Sequence, residues 1–414
     1  MTAKSNTTTL MTPFLTGGLK SIKFFNGRLL SGEDLTTEQA TSREERERLG
    51  LAIGDGVVTG LEVSVTSGAS SSAVTVQPGL ALNRQGDAVN LASAVDVSLF
   101  QPATAASNPT TATNGTPSPF ARCSPSLGGG YLSLSGIYLL TIAPAYGTQG
   151  RAAVNGLLDG ADTCNAKYFV EGVQFRLVQL PFSPTELADG RLRNIAAAKC
   201  FGFDADPLVD PFGPAPAPRG LIESLRPSAL SDAEVPLAIL NWTPSGIAFV
   251  DMWSARRRVS RSDRADDVTL PIGEGELARG EAMLLQFQDQ VSSLLASFPA
   301  SIVATTLFKY LPPAGLIPLY SQTSTGFVPP TFFQGLTVRD PIDIEGARAQ
   351  ALLRASTQFP PVELSTAEMF WTFRTRQNAQ QAGAVPFLFF ASGQLPYFGG
   401  SRYDVAYYDF ASWA

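Results

Sequence analysis

The chain has 414 residues, of which 44% are apolar and 16% are charged, a composition typical of a globular protein with room for two or three domains. Its net charge of −6 argues against a nucleic-acid-binding protein, because contacts to nucleic acid depend on a basic surface. The absence of histidine excludes Ser-His-Asp and Cys-His nucleophile systems and His-ligated zinc, which leaves carboxylate-pair hydrolysis and Ser-Lys chemistry open.

Residues 1–20 carry no basic segment followed by an apolar core, so they do not resemble a secretory signal. No run in the chain approaches the ~18 apolar residues of a membrane-spanning helix. We therefore expect synthesis in the cytoplasm without a signal peptide, and no membrane span. The Thr, Ser and Gly content of residues 1–20 fits either a flexible tail or an arm that becomes ordered only against a neighbouring subunit.

An aromatic turn at Phe24–Gly27 precedes a charged segment, Ser31–Leu49, that has the signals of a helix start. Ser31 is followed by two carboxylates, and Thr36 with Gln39 forms a capping-box pattern. A run of mixed charge comes next, in which side chains three and four residues apart support one another weakly. The sequence therefore predicts a helix here.

This predicted helix has a thin apolar stripe, mainly Leu35, Leu49 and Leu51, so it can bury little by itself. Two interpretations of its polar surface stay open: a solvated face, or a polar contact with another subunit. The contact interpretation makes the aromatic pair of the turn and three members of the charge run candidate interaction residues: Phe24, Phe25, Glu44, Arg46 and Arg48.

From Gly56 to Leu91 apolar and polar residues alternate between turn residues, which predicts a small antiparallel β-unit. Residues 101–130, rich in Ala, Thr, Pro and Ser, predict a long loop or an insertion between strands. Two longer segments rich in β-branched and aromatic residues, Tyr131–Ile142 and Tyr168–Leu180, predict strands. The connection Pro207–Gly220 is typical of a semi-rigid, partly polyproline segment.

Two further strands are predicted at Val235–Trp242 and Ile247–Trp253, joined by a turn. Three adjacent arginines follow at once: Arg256, Arg257 and Arg258. They could bind an anionic partner, but in a net-acidic chain an intramolecular or intersubunit salt bridge is the favoured interpretation.

The three cysteines, Cys123, Cys164 and Cys200, have no CxxC spacing. We expect buried thiols in a protein made in a reducing compartment. A bridge between Cys123 and Cys164 stays open as an alternative.

Glu276–Phe298 is predicted to be a long helix ended by Pro299, because apolar residues recur every seven positions. Gly280 interrupts the second position of this seam. The pattern fits packing against the helix's own domain or a self-association seam between copies. The second interpretation makes Leu284 and Val291 candidate interaction residues.

The C-terminal part is predicted to contain two helices. One is Ile344–Ser356. The other starts at Ser365, with Glu368 at the capping-box position. This second helix is predicted to bury three apolar side chains: Met369, Phe370 and Phe373.

Strands are predicted at Val385–Phe390 and Val405–Phe410. The expected fold class is therefore α+β, β-rich and multi-domain. We expect four parts: an N-terminal arm with the charged helix for attachment (1–55), a β-rich domain with long loops (56–265), a connecting helix (266–300) and a C-terminal α+β domain (301–414).

Sequence motifs for catalysis and cofactor binding are missing. There is no GxxxxGK[ST] phosphate loop and no GxGxxG after a strand. Two carboxylate pairs, Glu33 with Asp34 and Asp266 with Asp267, could serve hydrolysis only by accident of the fold. The cluster Asp204, Asp206 and Asp210 could hold a Ca²⁺, but its spacing lacks the regular D-x-D-x-D-G form. We therefore expect a non-enzymatic protein with no cofactor and no metal site.

Four tryptophans could stack on sugars: Trp242, Trp253, Trp371 and Trp413. Single aromatic residues in strands are more often part of the core, and this is the favoured interpretation.

Several motifs of the chain resemble a recurrent module of phage-tail-like contractile injection systems, among their baseplate-associated or fibre-like structural proteins. The resemblance is carried by FFNGRLLSGEDLTTEQ, REERERL, GDGVVTGLEV and VTVQPGLALNRQGDAVNL, and it continues in VPLAILNWTPSGIAFVDMWSARRR and FKYLPPAGLIPL. It implies a structural subunit with no catalytic residues to carry over. Residues 101–120 are where the chain is least typical of this module.

The sequence thus favours a non-enzymatic structural subunit of a phage tail or contractile injection particle, assembled into a virion or an injection particle. Its expected partners are other subunits of the particle and further copies of itself, and no nucleic acid. One alternative is a fibre or adhesin module that recognises a cell-surface glycan. A minor alternative is a carboxylate-based glycan hydrolase.

Overall fold

The structure, a computed structural model, describes residues 19, 21–66, 73–99, 135–151, 166–203, 220–226, 228–261, 274–296, 299–366, 369–381, 383–393 and 395. Within these ranges, helices alternate with several mostly antiparallel sheets, which confirms the β-rich α+β class. Some predictions concern residues outside the described ranges: the tail 1–18, the loop 101–130, Cys123, Cys164, most of Pro207–Gly220, Asp204, Asp206, Asp210, Asp266, Asp267, the strand Val405–Phe410 and Trp413.

Helix α1, Gly32–Ile53, begins at the N-cap Ser31. The Asp34 amide donates to the Ser31 hydroxyl at 3.1 Å, and the Ser31 amide donates to the Asp34 carboxylate at 3.0 Å. Thr36, which a second capping pattern had marked as a start, instead lies inside the helix and donates to the Gly32 carbonyl. The helix begins at the earlier cap, Ser31, because its side chain already accepts a hydrogen bond from a free amide of the first turn.

Two small antiparallel sheets follow α1, in the region predicted as a β-unit. Their strands are β1 Gly56–Gly60, β2 Val63–Val65, β3 Ala73–Val76, β4 Gly79–Leu82, β5 Ala88–Leu91 and β6 Val95–Ser98. The strand orders are β1-β4-β5 and β2-β3-β6. Leu61, Val74 and Val76 are fully buried in the core that the two sheets share with the next, larger sheet.

The C-terminal end of α1 lies directly against the turn between β4 and β5. A Cβ added to Gly50 would come within 2.0 Å of the Gly86 carbonyl oxygen, and a Cβ added to Gly86 would come within 2.0 Å of the Glu47 carbonyl oxygen. Gly86 also has a φ of +89°, which glycine adopts without strain. This glycine contact fixes where the C-terminal end of α1 packs against the β-unit.

A larger antiparallel sheet forms the middle of the molecule. Its strands are β7 Gly136–Arg151, β8 Ala166–Gln179, β9 Val235–Thr243 and β10 Gly246–Asp251, in the order β10-β9-β7-β8. β7 pairs with β9 only as far as Ile142, whereas its pairing with β8 continues to Arg151. Pro144, which has no amide hydrogen, lies just beyond the end of the β9 ladder. The outer half of β7 and β8 is therefore a two-stranded ribbon.

Three helices lie between β8 and β9 in the chain: α2 Pro184–Leu187, α3 Leu192–Phe201 and α4 Gly220–Leu225. A fourth, α5 Glu274–Leu294, follows β10 and leads to the C-terminal unit. Helices α3 and α4 pack on one face of the larger sheet. In α5, Ala282 and Met283 pack against α3, whereas Phe287 lies in the C-terminal core. Gly280 interrupts the heptad pattern because a Cβ there would come within 1.8 Å of the Thr357 carbonyl oxygen.

The C-terminal unit contains a mixed sheet of order β12-β16-β15-β13, in which only β13 and β15 are parallel among the described strands. Its elements in chain order are a 3-10 helix Pro299–Ser301, α6 Ala304–Leu307, β11 Tyr310–Leu311, β12 Ala314–Pro318, α7 Pro329–Phe332, β13 Thr337–Ile344, α8 Gly346–Ser356, β14 Val362–Glu363, β15 Met369–Thr375, α9 Arg376–Gln380 and β16 Phe387–Ser392. The helix predicted at Ile344–Ser356 and the strand predicted at Val385–Phe390 both form, with shifted ends.

The prediction of a second C-terminal helix starting at Ser365 is wrong. Met369–Thr375 is instead the central strand β15. Phe370 packs into the core on the α5 side of the sheet, and Phe373 packs into the core on the α8 side. A strand that is apolar on both faces has no clear two-residue alternation, so its pattern is easily taken for a helix.

The glycine contact at the end of α1 generates a stability prediction. Gly50→Ala forces a methyl group into the Gly86 carbonyl, and we expect the free energy of unfolding to fall by about 1–3 kcal/mol. Gly32→Ala is the matched control on the same helix, because a Cβ there would meet nothing within 4 Å. Urea unfolding followed by circular dichroism measures both, and equal stability of the two variants would contradict the contact.

Candidate interaction surface

Large apolar side chains that face solvent are most frequent in the N-terminal segment, α1 and the outer ribbon of β7 and β8. Three more, Val58, Val65 and Val95, lie in the β-unit. Leu29 is 93% exposed and Phe169 is 85% exposed. Twelve exposed members lie in the N-terminal segment, α1 and the ribbon: Phe24, Phe25, Leu29, Leu30, Leu35, Leu49, Leu51, Ile53, Tyr146, Tyr168, Phe169 and Val170. We call these residues the apolar end surface. Across the C-terminal unit, the described residues of this kind are Tyr320 and Val385.

The N-terminal segment is held to α1 by polar contacts rather than by an apolar core. The Ile22 amide donates to the Glu38 carboxylate at 3.1 Å, and Arg28 forms a 2.7 Å ion pair with Asp34. Backbone hydrogen bonds to the Asp34 carboxylate from Ser31 lower the pKa of that carboxyl. Phe24 and Phe25 form the predicted aromatic turn, and both rings are exposed.

Helix α1 itself buries only two of its described residues, Thr41 and Gly50. A helix that buries so little gains almost nothing from tertiary packing, which normally supplies most helical stability. The predicted charge run is solvated: Glu44 and Arg48 form an exposed pair at 2.8 Å, and Arg46 is exposed beside them. This pair contributes about 0.5 kcal/mol or less.

The ribbon lies beside α1. The guanidinium of Arg43 stacks 5.1 Å from the centre of the Tyr146 ring, and burial of the Tyr146 phenol together with nearby carboxylates raises its pKa. From Tyr146 to Gly150 on β7 and from Lys167 to Gly172 on β8, the ribbon is exposed on both faces. Isolated two-stranded ribbons are only marginally stable in water. Both α1 and the ribbon therefore lack the burial that normally stabilises such elements.

The three adjacent arginines contact groups within the chain. Arg256 is buried and lies 4.0 Å from Glu62, whereas Arg258 is exposed and pairs with Glu281 at 2.5 Å. Arg257 donates to backbone carbonyls and lies over the Phe201 ring at 4.5 Å. Burial lowers the pKa of the Arg257 guanidinium to about 10.

Of the two helix residues suggested for self-association, Val291 faces the chain's own interior. It is buried in the phenylalanine-rich core of the C-terminal unit, whereas Leu284 is half-buried. At Val291 the heptad repeat of α5 therefore packs within the chain, and for Leu284 self-association stays a prediction.

A buried polar cluster, which the sequence did not predict, joins the larger sheet to α3 and α5. Asp251 is 0% exposed, and it accepts from Arg193 at 2.8 Å and from Gln286 at 2.8 Å. Arg193 also pairs with Asp289 at 2.5 Å, and burial raises the pKa of the Asp289 carboxyl against the opposing effect of Arg193. These residues are too far apart in sequence for any motif to relate them.

Several of the described carboxylates have structural roles, and the described thiol is buried. Asp34 caps α1, and Asp251 accepts bonds from three partners. Burial raises the pKa of the Cys200 thiol to about 12, so this group is not a nucleophile near neutral pH. Within the described ranges, no group of three or more acidic or cysteine side chains is arranged to hold a metal ion.

Two concave features of the described residues could admit small molecules or water. A partly open cleft of about 10 Å³ between α3 and α5 has room for about one water. An open depression of about 670 Å³ lies in the C-terminal unit, beside the exposed Tyr320 and the hydroxyl groups of Ser321 and Thr323. The three tryptophans in the described ranges, Trp242, Trp253 and Trp371, are all half-buried.

No family model and no curated protein matches the chain. Among the helices of the described residues, none combines the length and the apolar content needed to cross a membrane.

The buried cluster generates a second stability prediction. Asp251→Ala leaves the Arg193 charge partly unpaired in the interior, and we expect the free energy of unfolding to fall by about 3 kcal/mol or more. Glu281→Ala, on α5, breaks an exposed pair and should cost about 1 kcal/mol or less. Chemical denaturation of the two variants checks this, and equal losses would mean that the cluster is not a strong link.

Proposed function

We propose that the chain is a non-enzymatic structural subunit of a phage tail or contractile injection particle, acting through contacts with other subunits. The observation that carries this proposal is the apolar end surface, since monomeric proteins rarely expose many large apolar side chains on neighbouring elements. The sequence motifs that resemble baseplate-associated or fibre-like proteins include most of the N-terminal segment and α1. Six of the twelve residues of the apolar end surface therefore lie within these motifs.

The engaged carboxylates and the buried thiol are compatible with this role. Histidine-dependent catalysis is excluded by composition, Asp251 is buried in an ion pair with Arg193, and Cys200 is a buried thiol. The C-terminal unit, with its large aromatic core, would provide a rigid body, and the apolar end surface would provide the attachment. Attachment would bury side chains that folding alone leaves in water.

Incorporation into particles tests this proposal. We expect Leu49→Glu to fold normally, because Leu49 is 65% exposed, but to reduce the amount of the chain in purified particles about tenfold. Val385→Glu is the matched control, since Val385 is 56% exposed but lies on the C-terminal unit. Immunoblots of purified particles, normalised to a sheath or tube protein, give the measurement.

Electron microscopy of particles from a strain that lacks the gene provides the complementary result. Particles that are structurally complete and fully active without the chain would overturn the proposal. Equal incorporation of both variants would show that the apolar end surface is not the attachment site.

A second candidate function, recognition of a neutral glycan, is favoured by the depression beside Tyr320. Tyr320 is 59% exposed, so its ring could stack on a sugar, and the nearby hydroxyl and amide groups could exchange hydrogen bonds with sugar hydroxyls. A glycan array tests it directly. We expect any specific signal to disappear in Tyr320→Ala and to persist in Leu49→Glu, and an array without signal would reject this candidate.

A further inference from the structure

Strand β8 is a long edge strand whose outer side has no partner among the described strands. It is the last strand in the order β10-β9-β7-β8, and its ladder with β7 runs without a register shift from Gln179 to Ala166. An open edge presents a row of backbone donors and acceptors that can pair with another extended chain. In the ribbon, this edge also carries the exposed side chains of Tyr168, Phe169 and Val170.

Two other edge strands of the described sheets, β13 and β10, are interrupted in ways that discourage such pairing. β13 contains Pro341 and a register shift between Arg339 and Ile342. β10 has a register shift between Ile247 and Phe249. Proline and bulges are common means of blocking edge-to-edge association, and β8 contains neither.

The sequence of this edge is complementary to itself in one arrangement. In an antiparallel pair of β8 strands centred on Phe169, Lys167 lies opposite Glu171 of the second copy. Tyr168 then lies opposite Val170 of the second copy, and Phe169 lies opposite itself. Opposite charges and aromatic–aliphatic pairs are favourable directly across an antiparallel ladder. A parallel in-register pair would instead place Lys167 beside Lys167.

We propose that the occupant of this edge is a second copy of the chain, joined by antiparallel pairing of Ala166–Gly172 across a two-fold axis at Phe169. Such an interface is isologous, because the same residues contribute from both copies. Lys167 and Glu171 are both exposed. Lys167 lies over the Tyr168 ring, and Glu171 is opposite Tyr146 in the ladder with β7. The contact is short, so association should depend on concentration in the accessible range.

This inference deepens the proposed function by naming one partner for part of the apolar end surface. It does not depend on the particle, because pairing of two copies is measurable with the purified chain alone.

Charge reversal tests the pairing. Lys167→Glu places Glu opposite Glu171 twice in each dimer, and Glu171→Lys places Lys opposite Lys167 twice. We expect each single variant to raise the dimer dissociation constant about ten- to a hundredfold, measured by sedimentation equilibrium over a wide concentration range. The double variant, Lys167→Glu with Glu171→Lys, restores opposite charges and should dimerise like the unmodified chain.

An equimolar mixture of the two single variants is the most specific arm of this experiment. In a mixed dimer every Lys again faces a Glu, so the mixture should associate although each variant alone does not. Circular dichroism and melting temperature, expected to be unchanged because both side chains are exposed, control for folding.

Two results would overturn the pairing: a chain that stays monomeric at every concentration, or single variants that dimerise as tightly as the unmodified chain. In either case the incorporation experiment above would still decide the proposed function separately.

Discussion

The buried contact between Arg193 and Asp251 is the interaction on which the arrangement of the whole molecule depends. Asp251 ends the last strand of the larger sheet, Arg193 lies on α3, and Gln286 and Asp289 reach them from α5. The long helix also packs into the C-terminal core through Phe287. Removing these charges from water is costly, and their mutual bonds offset that cost only in one relative position of the three elements. The cluster thereby sets the relative position of the sheet and the C-terminal unit.

Stability is distributed unevenly as a result. The middle and C-terminal parts contain well-filled cores, in which aromatic rings such as Phe287, Phe370 and Phe390 contact one another edge to face. Helix α1 and the outer ribbon have little buried surface. A glycine contact joins α1 to the β-unit, and a cation–π contact joins α1 to the ribbon. Segments with few buried contacts open most easily. We therefore expect the apolar end surface to become fully ordered when it meets a partner.

This division fits a protein whose activity is assembly. In the proposed function, the C-terminal unit would keep its shape without a partner, whereas the apolar end surface would be buried only by a neighbouring subunit. The charges of α1 are of both signs and are solvated, so they would favour solubility and the orientation of an encounter more than affinity. The proposed pairing along β8 would add a backbone-directed contact, which specifies register as well as contact area.

The sequence by itself determined the features that rest on local chemistry. The capping signal at Ser31, the alternation in Gly56–Leu91 and the lack of histidine each follow from neighbouring residues or composition, because caps, turns and side-chain inventories are local properties. Only the tertiary structure decided the rest. Met369–Thr375 is a strand because sheet neighbours and helices bury both of its faces, and Gly50 is needed because Gly86 comes from a distant turn. Arg193 and Asp251, 58 residues apart, become partners only when α3 packs on the sheet, a contact that no local pattern encodes.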